Sequence, residues 1–195
     1  MGTPQEDIKV IRDLFQPKSR TEEENKKLCD KYPFLAWYGD PLYMGYTEEN
    51  GPKYKYTWED EVPEGWRKAL CPQMWDELKE ILTKADCVDK FRFTQIKEKF
   101  GELRLYCNCS DCPDGVFEEI IAWEEKYLQL SSRICIGCGK PAKYMSLGWI
   151  SPWCEDCAKE INDVVVEFDK LEEYYNTPRA EREKFFIRFK DSSDD

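Results

Sequence analysis

The 195-residue chain contains no histidine. That removes the side chain that most often moves protons near neutral pH, and with it any Ser–His–Asp or Cys–His catalytic arrangement. No GxSxG elbow, no phosphate-cradling GxxxxGK[ST] loop and no GxGxxG turn occurs either. No apolar run approaches the roughly 20 residues that a membrane-crossing helix needs. The opening MGTPQEDIKVIRDLF has no basic segment leading into an apolar one, so no secretory signal is expected. Positive charge is also short, with 29 Lys and Arg against 40 Asp and Glu, a net charge of −11 and a pI near 4.8. Phosphate affinity comes mainly from Lys and Arg, so this balance disfavours a general nucleic-acid or anionic-membrane binder. It suits a basic protein partner. With forty acids in the chain, no carboxylate pair can be singled out as catalytic.

What is abundant is sulfur and aromatic surface. Ten cysteines in a chain expected to be cytoplasmic point to metal binding rather than disulfides. Cys135-x2-Cys138 and Cys154-x2-Cys157 stand fifteen residues apart. This is the four-cysteine zinc spacing: each Cys-x-x-Cys turn aims two sulfurs at one ion about 2.3 Å away, and two turns complete a tetrahedron. Gly137 and Gly139 suit tight turns whose amides face the sulfurs, Pro141 ends the first turn, and YMSLGWI between the pairs has room for a short hairpin. A thioredoxin-like redox site would leave the second pair unexplained. A zinc deaminase would need an upstream His-x-Glu or Cys-x-Glu, which is absent. Four sulfurs leave no open coordination position, so one structural Zn2+ is expected here, with Arg133, Lys140 and Lys143 near enough in sequence to offset its charge.

Cys107, Cys109 and Cys112, in CNCSDC, form a second group. Three sulfurs would need a fourth ligand to hold a second zinc, and Cys71, Cys87 and Asp111 are the candidates. The plainer reading is a loop of free thiols.

The fold class expected is α+β: a short β-hairpin and several helices joined to a four-cysteine zinc-ribbon-like knuckle. Four regions are expected. Residues 1–30 read as a polar helical lead-in with Ile8, Ile11, Leu14 and Phe15 on one side. Residues 31–130 form an aromatic-rich core, 131–175 the zinc module with its following helix, and 176–195 a terminal helix and acidic tail. Within the core, residues 32–66 carry aromatics broken by Pro33, Pro41, Pro52 and Pro63 and read as an irregular wrapping segment. Pro72 starts a helix with Trp75, Leu78 and Leu82 in register. FRFTQIK and GELRLYC read as two strands around a turn at Gly101. The helix after Pro113 is expected to bury Phe117, Ile120/Ile121 and Tyr127/Leu128. Ile161, Val164/Val165, Phe168 and Leu171 fit an amphipathic helix, and the acids from Glu155 to Glu173 read as its solvated face or, more sharply, as an acidic ridge for a basic partner. Thr177-Pro178 opens a last helix to about Lys190.

VPEGWRKALCPQMWDELKEIL, QIKEKFGELRLY and the cysteine turns with GWISPWC between them resemble a family of small proteins carried by bacteriophages and prophages, notably of gut bacteria. The resemblance covers about residues 32–160 and is most specific at KEKFGELR and the cysteine turns. Within it Cys135, Cys138, Cys154 and Cys157 match the family's presumed zinc ligands, and Trp66, Gly101, Leu103 and Arg104 match recurrent positions; the Cys107/Cys109/Cys112 group is not a family feature. The family has no established activity, so it implies a setting rather than a mechanism.

The function expected is non-enzymatic: an acidic zinc-containing phage protein that binds, and inhibits or redirects, a host bacterial protein with a basic surface, such as a defence or nucleic-acid enzyme. The alternative is a small-ligand protein that sequesters a nucleotide signal, with the aromatic segment for stacking and Arg92 and Arg104 for phosphate. An enzyme working through carboxylates or cysteine is the third reading.

Overall fold

Thr21 opens the first helix among the described residues, α1 (Glu22–Lys31), through a reciprocal box: its hydroxyl accepts the Glu24 amide at 3.2 Å, and the Glu24 carboxylate accepts the Thr21 amide at 2.8 Å. The computed structural model describes residues 20–38, 54–161 and 163–189. The expected stripe of Ile8, Ile11, Leu14 and Phe15 and the acidic tail lie outside the described residues, as do Tyr43 and Tyr46.

The architecture is α+β, as the sequence implied. Two 3-10 turns, Pro33–Leu35 and Trp58–Glu61, bracket the described ends of the aromatic segment. Helices α2 (Glu64–Leu70) and α3 (Gln73–Lys84) follow. α3 buries Met74, Trp75, Leu78 and Leu82, the one-sided stripe that its apolar spacing dictates. Strands β1 (Arg92–Lys99) and β2 (Glu102–Asn108) then pair antiparallel, with Ile96 opposite Leu105 and Lys99 opposite Glu102. Phe100 and Gly101 make the turn at φ of 56° and 79°. Two consecutive left-handed residues give the twist that a two-residue hairpin requires. An irregularity between Phe93 and Gln95 shifts the alternation, so that Phe93 and Ile96, three apart, both face inward.

Helix α4 (Val116–Ser131) lies against α3 and β2 and buries Val116, Ile120, Trp123 and Tyr127. Ile120 and Tyr127 are buried as expected, and the expectation is corrected at Phe117 and Ile121. Phe117 and Ile121 are 57% and 42% exposed. The helix carries two adjacent apolar stripes, and packing turns the one with Trp123 inward because its ring meets Trp75, Phe93 and Tyr127. Rings dominate the core: Phe91 and Phe93 meet edge-on at 5.0 Å, and Phe34 meets Phe91 at 6.1 Å. The indole N–H groups find acceptors, Trp123 on the Met74 carbonyl at 3.0 Å and Trp75 on the Glu59 carboxylate at 2.6 Å. Glu59 and Asp60, both buried, are in turn paired with Arg20.

A second sheet follows, with β3 (Tyr144–Ser146) between β4 (Pro152–Trp153) and β5 (Val165–Glu167), all antiparallel. Short helices α5 (Glu155–Glu160) and α6 (Leu171–Asn176) flank β5 in sequence. The expected continuous helix through Ile161, Val164/Val165, Phe168 and Leu171 is therefore replaced by a strand and a 3-10 turn, Phe168–Lys170. Three consecutive β-branched valines favour the strand, and β3 offers them an edge. The acids from Glu155 to Glu173 consequently do not share one helix face. The expected last helix is a 3-10 segment, Arg179–Phe185. It stops where Ile187 pairs with Val165 through amide–carbonyl bonds of 2.9 and 3.0 Å. One continuous buried cluster runs from Cys29 to Val165 and joins the two sheets.

Candidate metal centre

Each cysteine pair sits on a tight turn fixed by its own backbone. In the first, the Cys135 amide donates to the Lys140 carbonyl at 2.8 Å and the Gly139 amide to the Cys135 carbonyl at 3.0 Å. Gly139 takes φ +85°, which a side chain would strain. In the second, Cys154 begins α5 and its carbonyl accepts the Ala158 amide at 2.9 Å. The β3–β4 hairpin spans the gap, and the Ile136 amide donates to the Pro152 carbonyl at 2.9 Å, tying one turn to the other.

The outcome is that the sulfurs of Cys135, Cys138, Cys154 and Cys157 all lie within 4.8 Å of one another, with Cys138 and Cys154 at 3.5 Å. Cys135 and Cys154 are buried; Cys138 and Cys157 are half-buried. Burial holds the Cys135 thiol above its ordinary value, opposed by the nearby backbone amides of Cys154, Cys138 and Gly137. At Cys138 burial also opposes ionisation, but the Lys140 amide and the three neighbouring sulfurs outweigh it and the pKa falls. Four convergent sulfurs with amide donors behind them can hold a metal ion. The donor set fits a soft or borderline ion such as zinc, and with all positions filled by protein no place remains for a reactive water.

The three nearby cations are each engaged. Lys140 pairs with Asp156 at 2.8 Å and Lys143 with Glu155 at 3.4 Å, both at the surface, while the Arg133 guanidinium lies 5.1 Å from the Phe168 ring. The hydrogen bond to Asp156 and the sulfurs of Cys138 and Cys154 together raise the Lys140 pKa. These exposed pairs are individually weak and screened by salt.

Sequence reasoning missed the clamp between this centre and the aromatic core. The Gly65 amide donates to the Ile136 carbonyl at 2.8 Å, and the Trp66 indole donates to the Ile134 carbonyl at 2.9 Å. A Cβ on Gly65 would sit 2.2 Å from the Cys135 carbonyl oxygen, and one on Gly139 would sit 2.7 Å from the Gly65 carbonyl oxygen. The two glycines let α2 and the first cysteine turn touch backbone to backbone. The available signal was a glycine inside a helical pattern, which usually has a packing reason.

The remaining candidates are placed differently. Tyr32, Phe34, Trp58 and Trp66 of the aromatic segment are buried, and Trp37 meets Trp58 edge-on at 4.7 Å. Arg104 pairs across the hairpin with Lys97, whereas Arg92 lies five positions further along β1, about 17 Å away at strand rise. Cys107 faces Glu124, its sulfur 3.4 Å from a carboxylate oxygen. Among the described residues, the Cys135 group is the one cluster of potential ligands drawn within 4.8 Å. No helix among them is long and apolar enough to cross a membrane. No family model matches the chain, and neither a curated protein nor a solved structure matches it.

Proposed function

We propose that this is a non-enzymatic, zinc-stabilised adaptor of phage origin, acting in the bacterial cytoplasm by binding a host protein through an acidic, partly apolar face. Zn2+ held by Cys135, Cys138, Cys154 and Cys157 supplies scaffold rather than chemistry, because four thiolates saturate it.

The observation that carries the binding reading is the outer face of α4. Phe117 and Ile121 stand exposed one turn apart, rimmed by exposed Glu118 and Glu125. An apolar patch rimmed by charge of one sign is the ordinary form of a protein docking surface. The net charge of −11 would steer it to a basic groove and speed encounter at low salt.

The test is capture of partners from host lysate by tagged full-length chain and by a Phe117→Ser/Ile121→Ser variant. The expected result is a basic partner retained by the wild type, weakened by salt and lost from the variant, with the variant's melting temperature unchanged. Acidic partners alone, or equal capture by both chains, would overturn the reading.

A further inference from the structure

We propose that Cys87, Cys107, Cys109 and Cys112 form a second thiolate site, open to solvent, for a soft filled-shell divalent ion. The hairpin register builds it. Arg92 pairs with Asn108 and Phe93 with Cys107 at the open end of β1 and β2, so the turn before β1 and the turn after β2 lie side by side. Cys87 anchors the first turn, its carbonyl accepting the Lys90 and Phe91 amides at 3.0 and 3.1 Å. Cys109 and Cys112 close the second, with the Cys112 amide on the Cys109 carbonyl at 3.0 Å. The side chains neighbour one another in series, Cys107 by Cys109, Cys109 by Cys112 and Cys112 by Cys87, but are not drawn within 4.8 Å as a group, and the Cys107 sulfur donates to the Glu124 carboxylate at 3.4 Å. Cys71, the other upstream thiol, is held instead beside Trp75, Arg67 and Glu59.

Cys107, Cys109 and Cys112 line a surface hollow of about 720 Å³, and Cys87, which is buried and outside that lining, neighbours Cys112. Ser110, Asp111, Pro113 and Asp114 are exposed, so the loop can draw its sulfurs together without disturbing packed groups. Thiolate donors select Zn2+ and its heavier congener Cd2+ over hard cations. Binding replaces four S–H bonds by four metal–sulfur bonds and releases four protons to solvent. Lys90, next to Cys112, offsets part of the resulting negative charge. Unlike the Cys135 group, this site is loose and reached from solvent, which suits an exchangeable ion rather than a permanent brace.

The experiment counts Cd2+ by native mass spectrometry on the full chain, kept reduced and loaded with excess Cd2+. Two ions per wild-type chain are expected, falling to one in Cys109→Ser/Cys112→Ser, whose substitutions lie on the exposed turn. Cys138→Ser should also lose one ion, and not the same one. A single ion in the wild type, or two retained in Cys109→Ser/Cys112→Ser, would overturn the proposal. Should the double variant lose its near-UV spectrum, 113Cd NMR of the wild type decides: two tetrathiolate resonances support the site, and one refutes it.

Discussion

Two regions of this molecule are stabilised by different means. Around α3, the hairpin and α4, the chain is held by area: Trp66, Trp75, Phe34, Phe91, Leu78, Leu82 and Leu103 are almost fully buried and their rings interlock. Around β3, β4 and β5 the elements are far smaller. The strands have three, two and three residues, and α5 and α6 have six each. Such pieces are too short to persist alone, since a helix below about 12 residues is marginal in water and strands need a broad apolar face. The four sulfurs of Cys135, Cys138, Cys154 and Cys157 converge there, and an ion held by them would provide what area does not. The difference teaches where each substitution should register: in the aromatic region as lost packing, in the C-terminal region as lost coordination.

The largest effect is expected from Cys138→Ser. Structural zinc contributes about 10–16 kcal/mol of apparent binding free energy in small zinc modules, and much of it is folding free energy. Residues 131–175 should lose their order, read as lost near-UV ellipticity from Tyr144 and Trp153, while most far-UV helical signal from α3 and α4 stays. An intact near-UV spectrum would erase the contrast between the regions.

Next comes Trp75→Ala. Emptying this site should cost about 3–5 kcal/mol. It also leaves Glu59 without its indole donor. The urea midpoint should fall for both regions together, because the buried cluster is continuous. Metal content in the folded chain should not change.

Gly65→Ala sharpens the boundary itself. The new methyl would meet the Cys135 carbonyl oxygen, and overpacking of this kind costs about 1–3 kcal/mol. Faster loss of zinc to a chromogenic chelator is expected, with helicity nearly unchanged. Wild-type release kinetics would show that α2 does not brace the site.

The smallest effect belongs to Glu98→Gln. Burial raises the Glu98 carboxyl above its ordinary 4.5, opposed by the Gly101 amide, which donates to it at 2.8 Å, and by Trp149. A carboxyl whose pKa is raised on folding favours the folded state only where it is protonated, and that contribution is lost as pH rises through the folded value. Gln keeps the acceptor without the charge. The variant should therefore melt slightly higher than wild type at pH 7 and show no such advantage at pH 3.5. A lower melting temperature at pH 7 would show that the charge contributes favourably there.

The cysteine turns were legible because their spacing reflects coordination geometry directly, and the hairpin because alternation and Gly101 both mark it. The face of α4 was legible only in part, at Ile120 and Tyr127. Phe117/Ile121 and Val116/Ile120/Trp123 are both proper helical stripes, and only the neighbouring rings choose between them. Val164 to Val166 misled for a related reason: apolar residues at 161, 164, 165 and 168 satisfy a helical period, but the partner strand that claims them lies about twenty residues upstream in β3. The Gly65 clamp joins residues some seventy positions apart, which no local pattern records.

The central claim, that an ion on Cys135, Cys138, Cys154 and Cys157 holds the C-terminal region, is tested most directly by hydrogen exchange with and without a strong chelator. The prediction is that amides of β3, β4 and β5 lose protection when the metal is stripped, while those of α3, β1 and β2 keep theirs. Equal protection in both states, with metal removal verified by mass, would contradict it.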